Sequence, residues 1–544
     1  MRKLSTVEKG FKITNTLKLN IKMDSNTDIS ISQLLFEKMK THGNVICQID
    51  AATGEEESYA SVLSRSIRMA RALRAFGLKP GDVLALGGRN HINLHIPFYA
   101  ALFNGLPVVG IDPLFKYDEV RTLFKLTEPK IAFCQTESFI IYSEVAKDLG
   151  LDTKIVCFDE GEHCSFAEFI ETYDTNEPEE EFKCADFDID KIYAFLVSTS
   201  GTTGKVKIVA FNHKPFVLKI VWLLRQYNYD KHPKKIVLNL SPVNWISNYF
   251  MSVGNVIIGD TKLQTSIPDS YEHVIDIINK YRPVQGLFSP PFVTYLVSQK
   301  DKVDLTCFKN IGIAGSKIYP GVMVQFKELL AKDAVALEAY GQTEMMGSVL
   351  APNPTGPSES CGRPLPIYAI KLIDPKTGLE VKEPYITAEL WAKGPRFTEY
   401  YNDPEETANA FTEDGYFKTG DLLYKDENDN YFYVDRLKAL IKYRNSHVIP
   451  MELEELISTH PGVKHVCVIG ISDPLDGERP VACVVRENGK KVSAQEIKDL
   501  VASKLSKNKQ LRGGVVFLDS LPFTSSQKVA RNKLQQMVQN MKRE

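Results

Sequence analysis

Between about Ile29 and Asp159 the apolar positions alternate between helical and strand spacing. Tyr59 to Phe76 carries apolar residues at three- and four-residue intervals, which predicts an amphipathic helix closed by Gly77 at its C-cap. Lys79-Pro80-Gly81-Asp82 is turn chemistry, and Val83 to Leu86 reads as a short buried strand. His95 to Asn104 then reads as a second helix and Pro107 to Ile111 as a second strand. That rhythm predicts a parallel sheet covered by helices. It returns between Ile192 and about Leu350, so two layered α/β subdomains are expected, packed against each other. From Cys361 to Asp421 short alternating strands (AIKLI, AELWAK), broken by Gly and Pro, suggest a small β-barrel or sheet. The strand YFYV follows, and then Asp435-Arg436.

The remainder reads as a small α+β unit. Helices are expected at Met451–Thr459 and Ala494–Leu505, and strands at Val466–Ile471, Ala482–Arg486 and Gly514–Leu518. The expected fold class is therefore α/β, with a large N-terminal domain of two layered α/β subdomains plus a small β-barrel, hinged to a small α+β C-terminal domain. The expected boundaries are a polar leader over 1–28, the large domain over 29–435 and the C-terminal domain over 436–544.

Composition narrows the function classes. The chain has 544 residues, too many for one hydrophobic core. Its 43% hydrophobic and 25% charged residues are globular values. A net charge of −2 provides no overall field for nucleic acid or an acidic membrane, so neither is an expected partner. Nine scattered cysteines without a C-x-x-C pair fit a reducing compartment and argue against structural zinc. No apolar run approaches the length of a membrane span, and the basic N-terminus lacks the apolar core of a secretory signal. The last residues are Met-Lys-Arg-Glu, not Ser-Lys-Leu, so a cytoplasmic location is expected rather than a peroxisomal one.

The strongest local signal is Ser198-Thr199-Ser200-Gly201-Thr202-Thr203-Gly204-Lys205-Val206-Lys207, directly after the apolar run Tyr193–Val197. Gly201 and Gly204 permit close backbone approach, so consecutive amides can point at phosphate oxygens. Thr199, Ser200, Thr202 and Thr203 add hydroxyl donors, while Lys205 and Lys207 add positive charge. The competing reading is an ordinary Ser/Thr/Gly surface loop. The common P-loop pattern G-x-x-x-x-G-K-[ST] is not satisfied.

This loop resembles the phosphate-loop signature of the adenylate-forming (AMP-binding) superfamily, which includes acyl-CoA synthetases, 4-coumarate–CoA ligases, insect luciferases and peptide-synthetase adenylation domains. Further segments stand in that family's order: Tyr340-Gly-Gln-Thr-Glu344, Cys361-Gly-Arg-Pro-Leu-Pro366, Glu389-Leu-Trp-Ala-Lys-Gly-Pro395, Thr419-Gly-Asp421, Asp435-Arg436 with Lys438, and Lys528. The resemblance covers roughly Ile29 to Leu534. The segment Leu511-Arg-Gly-Gly-Val-Val-Phe-Leu-Asp-Ser-Leu-Pro522 is luciferase-like, which points to the synthetase, ligase and luciferase branch.

The resemblance implies ATP, Mg²⁺ and coenzyme A as co-substrates and cofactor, a small-molecule carboxylic acid as substrate, and no obligate protein partner. Tyr340 would stack on adenine, and Gly341 and Gln342 would line the nucleotide with Gly315 and Ser316 of Ala314-Gly-Ser316. Thr343 would meet the α-phosphate, and Glu344 would hold Mg²⁺, which prefers carboxylate oxygens together with substrate phosphates. Asp421 would accept the ribose hydroxyls, with Arg436 beside it. Lys528 would offset the charge that builds up as a carboxylate attacks phosphorus. In family members the C-terminal domain rotates after that step, and Lys442 belongs to the face presented for thioester formation.

Departures from the family pattern are Lys317 where Ala-Pro is common, Gln527 and Asn445 where glycines are usual, and Asn244-Trp245-Ile246-Ser247 where firefly-type luciferases carry His-His-Gly-Phe. By position, Trp245, Phe250, Phe288, Ser348 and Val349 are candidates for the acyl pocket. The expected activity is AMP-forming acid–thiol ligation to a fatty or aromatic acyl-CoA. The alternatives are a luciferase that oxidises its adenylate with O₂ and a non-catalytic member of the family.

Overall fold

The computed structural model describes residues 30–200, 206–226, 235–267, 270–351, 353, 355–357, 359–444, 446–524, 528–539 and 541–544. Two seven-stranded sheets carry the large N-terminal domain. The first runs, in spatial order, Glu399–Tyr400, Val206–Asn212, Tyr193–Ser200, Val108–Ile111, Leu84–Gly87, Ile131–Cys134 and Lys154–Cys157. Its central strands are parallel and fully buried apolar tetrads, as expected when helices cover both faces. The helix expected from Tyr59 runs over Tyr59–Ala75. It starts where the Ser58 hydroxyl accepts the amide of Ser61, and it stops before Gly77, whose φ is +106°.

The second sheet runs Val335–Glu338, Asn310–Ile313, Gln285–Phe288, Ile236–Leu238, Thr261–Gln264, Ile46–Asp50 and Glu55–Ser58. Subdomain membership thus does not follow chain order. The hairpin at 46–58 leaves the N-terminal segment to pair with Thr261–Gln264, and the strands at 193–212 join the earlier sheet. Polar contacts stitch the two layers together. Buried His95 bonds Asn248 Oδ1 at 2.8 Å through Nε2 and Lys262 Nζ at 2.9 Å through Nδ1. Burial drives the His95 pKa well below its usual value and lowers Lys262 to about 8, so the ring is a neutral linker.

The expected small barrel is a four-stranded antiparallel sheet, Ala369–Ile373, Ala388–Lys393, Phe417–Lys425 and Tyr431–Arg436, flanked by short two-stranded ladders. The small C-terminal domain is built on the long hairpin Val463–Asp473 and Gly477–Arg486, extended in parallel by Gly514–Leu518. Helices Pro450–Ser458, Ala494–Lys504 and Arg531–Val538 pack on it. Among the described residues no helix is long and apolar enough to cross a membrane.

Candidate active site

The site is set by a bulge. Along the pairing of Ala388–Lys393 with Phe417–Lys425, Glu389 opposes Leu422 while Trp391 opposes Lys418, so Thr419-Gly420-Asp421 face the single residue Leu390. Gly420 takes φ +68°, its amide donates to Glu389 Oε1 at 3.0 Å, and the Thr419 hydroxyl donates to the Leu390 carbonyl at 2.6 Å. A bulge of this kind re-aims the following side chain, and Asp421 turns inward. On its other side Asp421 is the register partner of Arg436, whose Nε lies 3.2 Å from Asp421 Oδ1. Burial alone would lower the Arg436 pKa, but the neighbouring charges, led by Asp421, hold it above its usual value.

Asp421 Oδ2 accepts from the Tyr340 hydroxyl at 2.8 Å and from the Gln342 amide, whereas Oδ1, among the described residues, has no hydrogen bond in addition to the Arg436 ion pair. Burial, reinforced by Asp421, pushes the Tyr340 hydroxyl well above its usual pKa, so it remains a donor. Tyr340 follows Val335–Glu338 and Gly315 follows Asn310–Ile313, adjacent parallel strands with Ile313 opposite Glu338. Both loops therefore leave neighbouring C-terminal strand ends, where open α/β sheets form ligand crevices. Gly315 (φ +109°) and Ser316 are exposed there.

Gly341 and Gln342 pair with Ser348 and Gly347 in a small hairpin whose turn contains Thr343 and Glu344. A Cβ on Gly341 would lie 2.1 Å from the Gly347 carbonyl oxygen, so this glycine is demanded by the hairpin's own packing. Buried Lys219 braces the turn, donating at 2.8 Å to the carbonyls of Met345 and Ser348 and to the Tyr368 hydroxyl. Glu344 accepts from the Tyr400 hydroxyl at 3.2 Å. The Lys207 ammonium lies 4.6 Å above the Tyr400 ring and is ion-paired with Glu406. Lys207 stands opposite Thr199, whose buried hydroxyl has no partner among the described residues, and Ser200 closes the same strand opposite Val206. Gly201, Thr202, Thr203, Gly204 and Lys205 lie outside the described residues, as do Asn445 and Gln527.

Lys528 comes from the far end of the chain. Solvent reaches its side chain, yet the surrounding protein lowers its pKa, and Arg436 lowers it further, while Asp421 and Glu344 pull it upward. Those four charged groups therefore share one neighbourhood. Lys442 does not join them: it is exposed on the strand Ile441–Tyr443, and its amide donates to Glu478 Oε2 at 2.7 Å.

Of the pocket candidates, Phe250 stacks on Phe216 at 4.3 Å, while Ser348 is half-buried in the Gly341 hairpin and Val349, just beyond it, is buried. Trp245 precedes the helix Ile246–Ile258 as its N-cap residue, its indole N–H buried and without a partner among the described residues. Phe288 is buried, edge-on to Phe292 and Phe308.

The AMP-binding enzyme model matches residues 35–402, and the AMP-binding enzyme C-terminal domain model matches 452–528. The chain belongs to the AMP-binding enzyme family. It is 28% identical over 509 residues to luciferin 4-monooxygenase of Photuris pensylvanica, covering 91% of this chain and 92% of that protein. It is 29% identical over 528 residues to 4-coumarate–CoA ligase 3 of Oryza sativa subsp. japonica, covering 94% and 93%. The solved structure of ATP-bound MatB from Rhodopseudomonas palustris matches with a TM-score of 0.83 at 22% identity, over 94% of this chain and 99% of that one, a likeness of fold.

Within this AMP-binding enzyme, the motifs did not single out Tyr400, Glu406, Lys219 or Glu338. Tyr400 and Glu406 reach the site only because Glu399–Tyr400 pairs with Val206–Asn212. Burial raises the Glu338 carboxyl to about 7, against the opposing pull of the Ile318 amide and Lys317. Among the described residues no cluster of three or more His, Cys, Asp or Glu could hold a metal unaided. A magnesium ion arriving with phosphates needs only one or two protein carboxylates, and Glu344 fits that requirement.

Proposed function

We propose that this enzyme activates a small carboxylic acid with Mg·ATP and transfers the acyl group to the thiol of coenzyme A. The observation that carries the reading is the set of polar contacts at Asp421, from Tyr340, Gln342 and Arg436, with the Lys528 ammonium of the C-terminal domain within electrostatic reach of it. Asp421 Oδ1, still open to a hydrogen bond, accepts from the ribose, and Tyr340, Gln342 and Arg436 hold that carboxylate in place. Thr343 donates to the α-phosphate. Glu344, oriented by Tyr400, holds the magnesium ion, which supplies charge neutralisation on the phosphates when bound. Lys207 leaves Glu406 for the phosphates, with Thr199, Ser200, Gly201, Thr202, Thr203 and Gly204 cradling them.

In the first step a carboxylate oxygen of the acid bonds to the α-phosphorus, and pyrophosphate leaves with the bonding electron pair. Lys528 sits where negative charge accumulates, and a preorganised cation stabilises that transition state more than the ground state. The product is a mixed anhydride. In the second step the thiol sulfur bonds to the acyl carbon, AMP leaves, and the thiol proton is released. Lys442 serves this step, in an orientation of the C-terminal domain other than the one described. Trp245, Phe250, Ser348 and Val349 shape the acyl pocket. The proposed domain boundaries for this division of labour are 29–435 and 436–544.

The test is product analysis by mass spectrometry with ATP, magnesium, coenzyme A and a panel of fatty and aromatic acids. AMP and an acyl-CoA appearing together support the reading. The likeness to luciferin 4-monooxygenases supplies the rival, and acid-dependent AMP release with photon emission and no CoA ester would favour it. No AMP with any acid would overturn both.

A further inference from the structure

Lys317, one of the departures from the family pattern, pairs across the two domains. It leaves the turn after the strand Asn310–Ile313, and its ammonium is ion-paired with Glu455 on the helix Pro450–Ser458 of the C-terminal domain. Tyr319, two residues on, is within electrostatic reach of Glu454 and Glu455 of that helix.

That helix is also the mount for Lys528. Glu454, adjacent to Glu455, receives Arg531 through both carboxylate oxygens at 2.7 and 3.0 Å. Arg531 also donates to the Val468 carbonyl at 2.6 Å and opens the helix Arg531–Val538, three residues after Lys528. At the helix's own start, the Met451 amide donates to Asp435 Oδ2 at 3.2 Å, next to Arg436. One short helix therefore connects the large domain, through Lys317, to the segment bearing Lys528.

We infer that the Lys317–Glu455 ion pair is a positioning contact, holding the helix Pro450–Ser458 so that Lys528 stands over the nucleotide crevice. The inference rests on the function proposed above. Neither residue touches the reacting atoms, and both act through Lys528. With side chains 19% and 38% exposed, the pair is too wet to be a major source of fold stability, but it can bias where a tethered domain sits.

Two measurements test it, on the full chain carrying Lys317→Ala, Glu455→Ala, or the charge exchange Lys317→Glu with Glu455→Lys. The first is hydrogen exchange of the amides over 317–319 and 450–458, which needs no acid substrate. The single variants should exchange faster in both segments, and the charge exchange should restore protection. Unchanged protection in the single variants would overturn the inference.

The second separates the half-reactions. Acid-dependent pyrophosphate exchange should fall about two- to fivefold in the single variants, the bias a part-exposed ion pair can supply. It should recover in the charge exchange, while conversion of a presynthesised acyl-adenylate to the CoA ester stays unchanged. Equal loss in both half-reactions would reveal a merely structural contact. If the unaltered chain shows no pyrophosphate exchange with any acid, the proposed function fails, and hydrogen exchange alone decides the latch.

Discussion

Replacing Asp421 by Asn tests the nucleotide anchor with minimal change of shape. The two donors at Oδ2, the Tyr340 hydroxyl and the Gln342 amide, fix which oxygen must survive, so the new NH₂ group is forced to the Oδ1 side. There it faces the Arg436 guanidinium and presents donors where the ribose hydroxyls require an acceptor. Hydrogen bonds to charged groups contribute about 1.5–3 kcal/mol each. Rotation of the ribose hydroxyls recovers part of two such bonds, leaving a net loss of about 2–4 kcal/mol. The KM for ATP should therefore rise roughly 30- to 900-fold. The assay is pyrophosphate exchange at varied ATP, with titration calorimetry of ATP as a check and circular dichroism to verify folding. A KM within threefold of the unaltered enzyme, in a folded variant, would refute the assignment of Asp421 to the ribose.

Three further outcomes follow from the same geometry. Glu338 has its pKa raised to about 7 against an ordinary 4.5, so the folded chain binds that proton more tightly than the unfolded one and loses stability as pH climbs from about 4.5 to 7. Glu338→Gln should therefore be more stable than the unaltered chain by about 3 kcal/mol at pH 8 and level with it near pH 4; a difference in melting temperature independent of pH would contradict this. Gly341→Ala forces a methyl onto the Gly347 carbonyl, and should cost about 1–3 kcal/mol in thermal unfolding and weaken ATP binding, whereas unchanged melting would show that the hairpin yields freely. Tyr400→Phe unhooks Glu344 without opening the fold, and should raise the magnesium concentration for half-maximal activity about fivefold, the effect of about 1 kcal/mol; an unchanged magnesium dependence would detach Tyr400 from Glu344's role.

Element type was legible wherever burial follows a simple period. The apolar run Val83–Leu86 was readable as a buried strand and forms Leu84–Gly87, and Gly77 marked the end of the helix Tyr59–Ala75. Partner choice was not legible, because periodicity says which face is buried and nothing about what buries it. That is why the hairpin 46–58 crosses to the second sheet unannounced. In the site, Asp421 and Arg436 could be named from short motifs, and their meeting is a consequence of strand register around a bulge. The Tyr340 hydroxyl on Asp421, Tyr400 on Glu344 and Lys317 on Glu455 are contacts between segments distant in sequence, and no local pattern encodes them. Lys317 was visible as a departure from pattern, but its reason lay in the other domain.

In the proposed mechanism an ammonium from the C-terminal domain completes a site for carboxylate attack on ATP. The decisive experiment is acid-dependent exchange of labelled pyrophosphate into ATP, compared between the unaltered enzyme and Lys528→Ala. Exchange should occur with at least one acid of a fatty and aromatic panel and fall about 100-fold or more in the variant, with KM for ATP little changed, the signature of a group acting mainly in the transition state. Exchange that survives the loss of Lys528 at full rate, or no exchange with any acid, would contradict it.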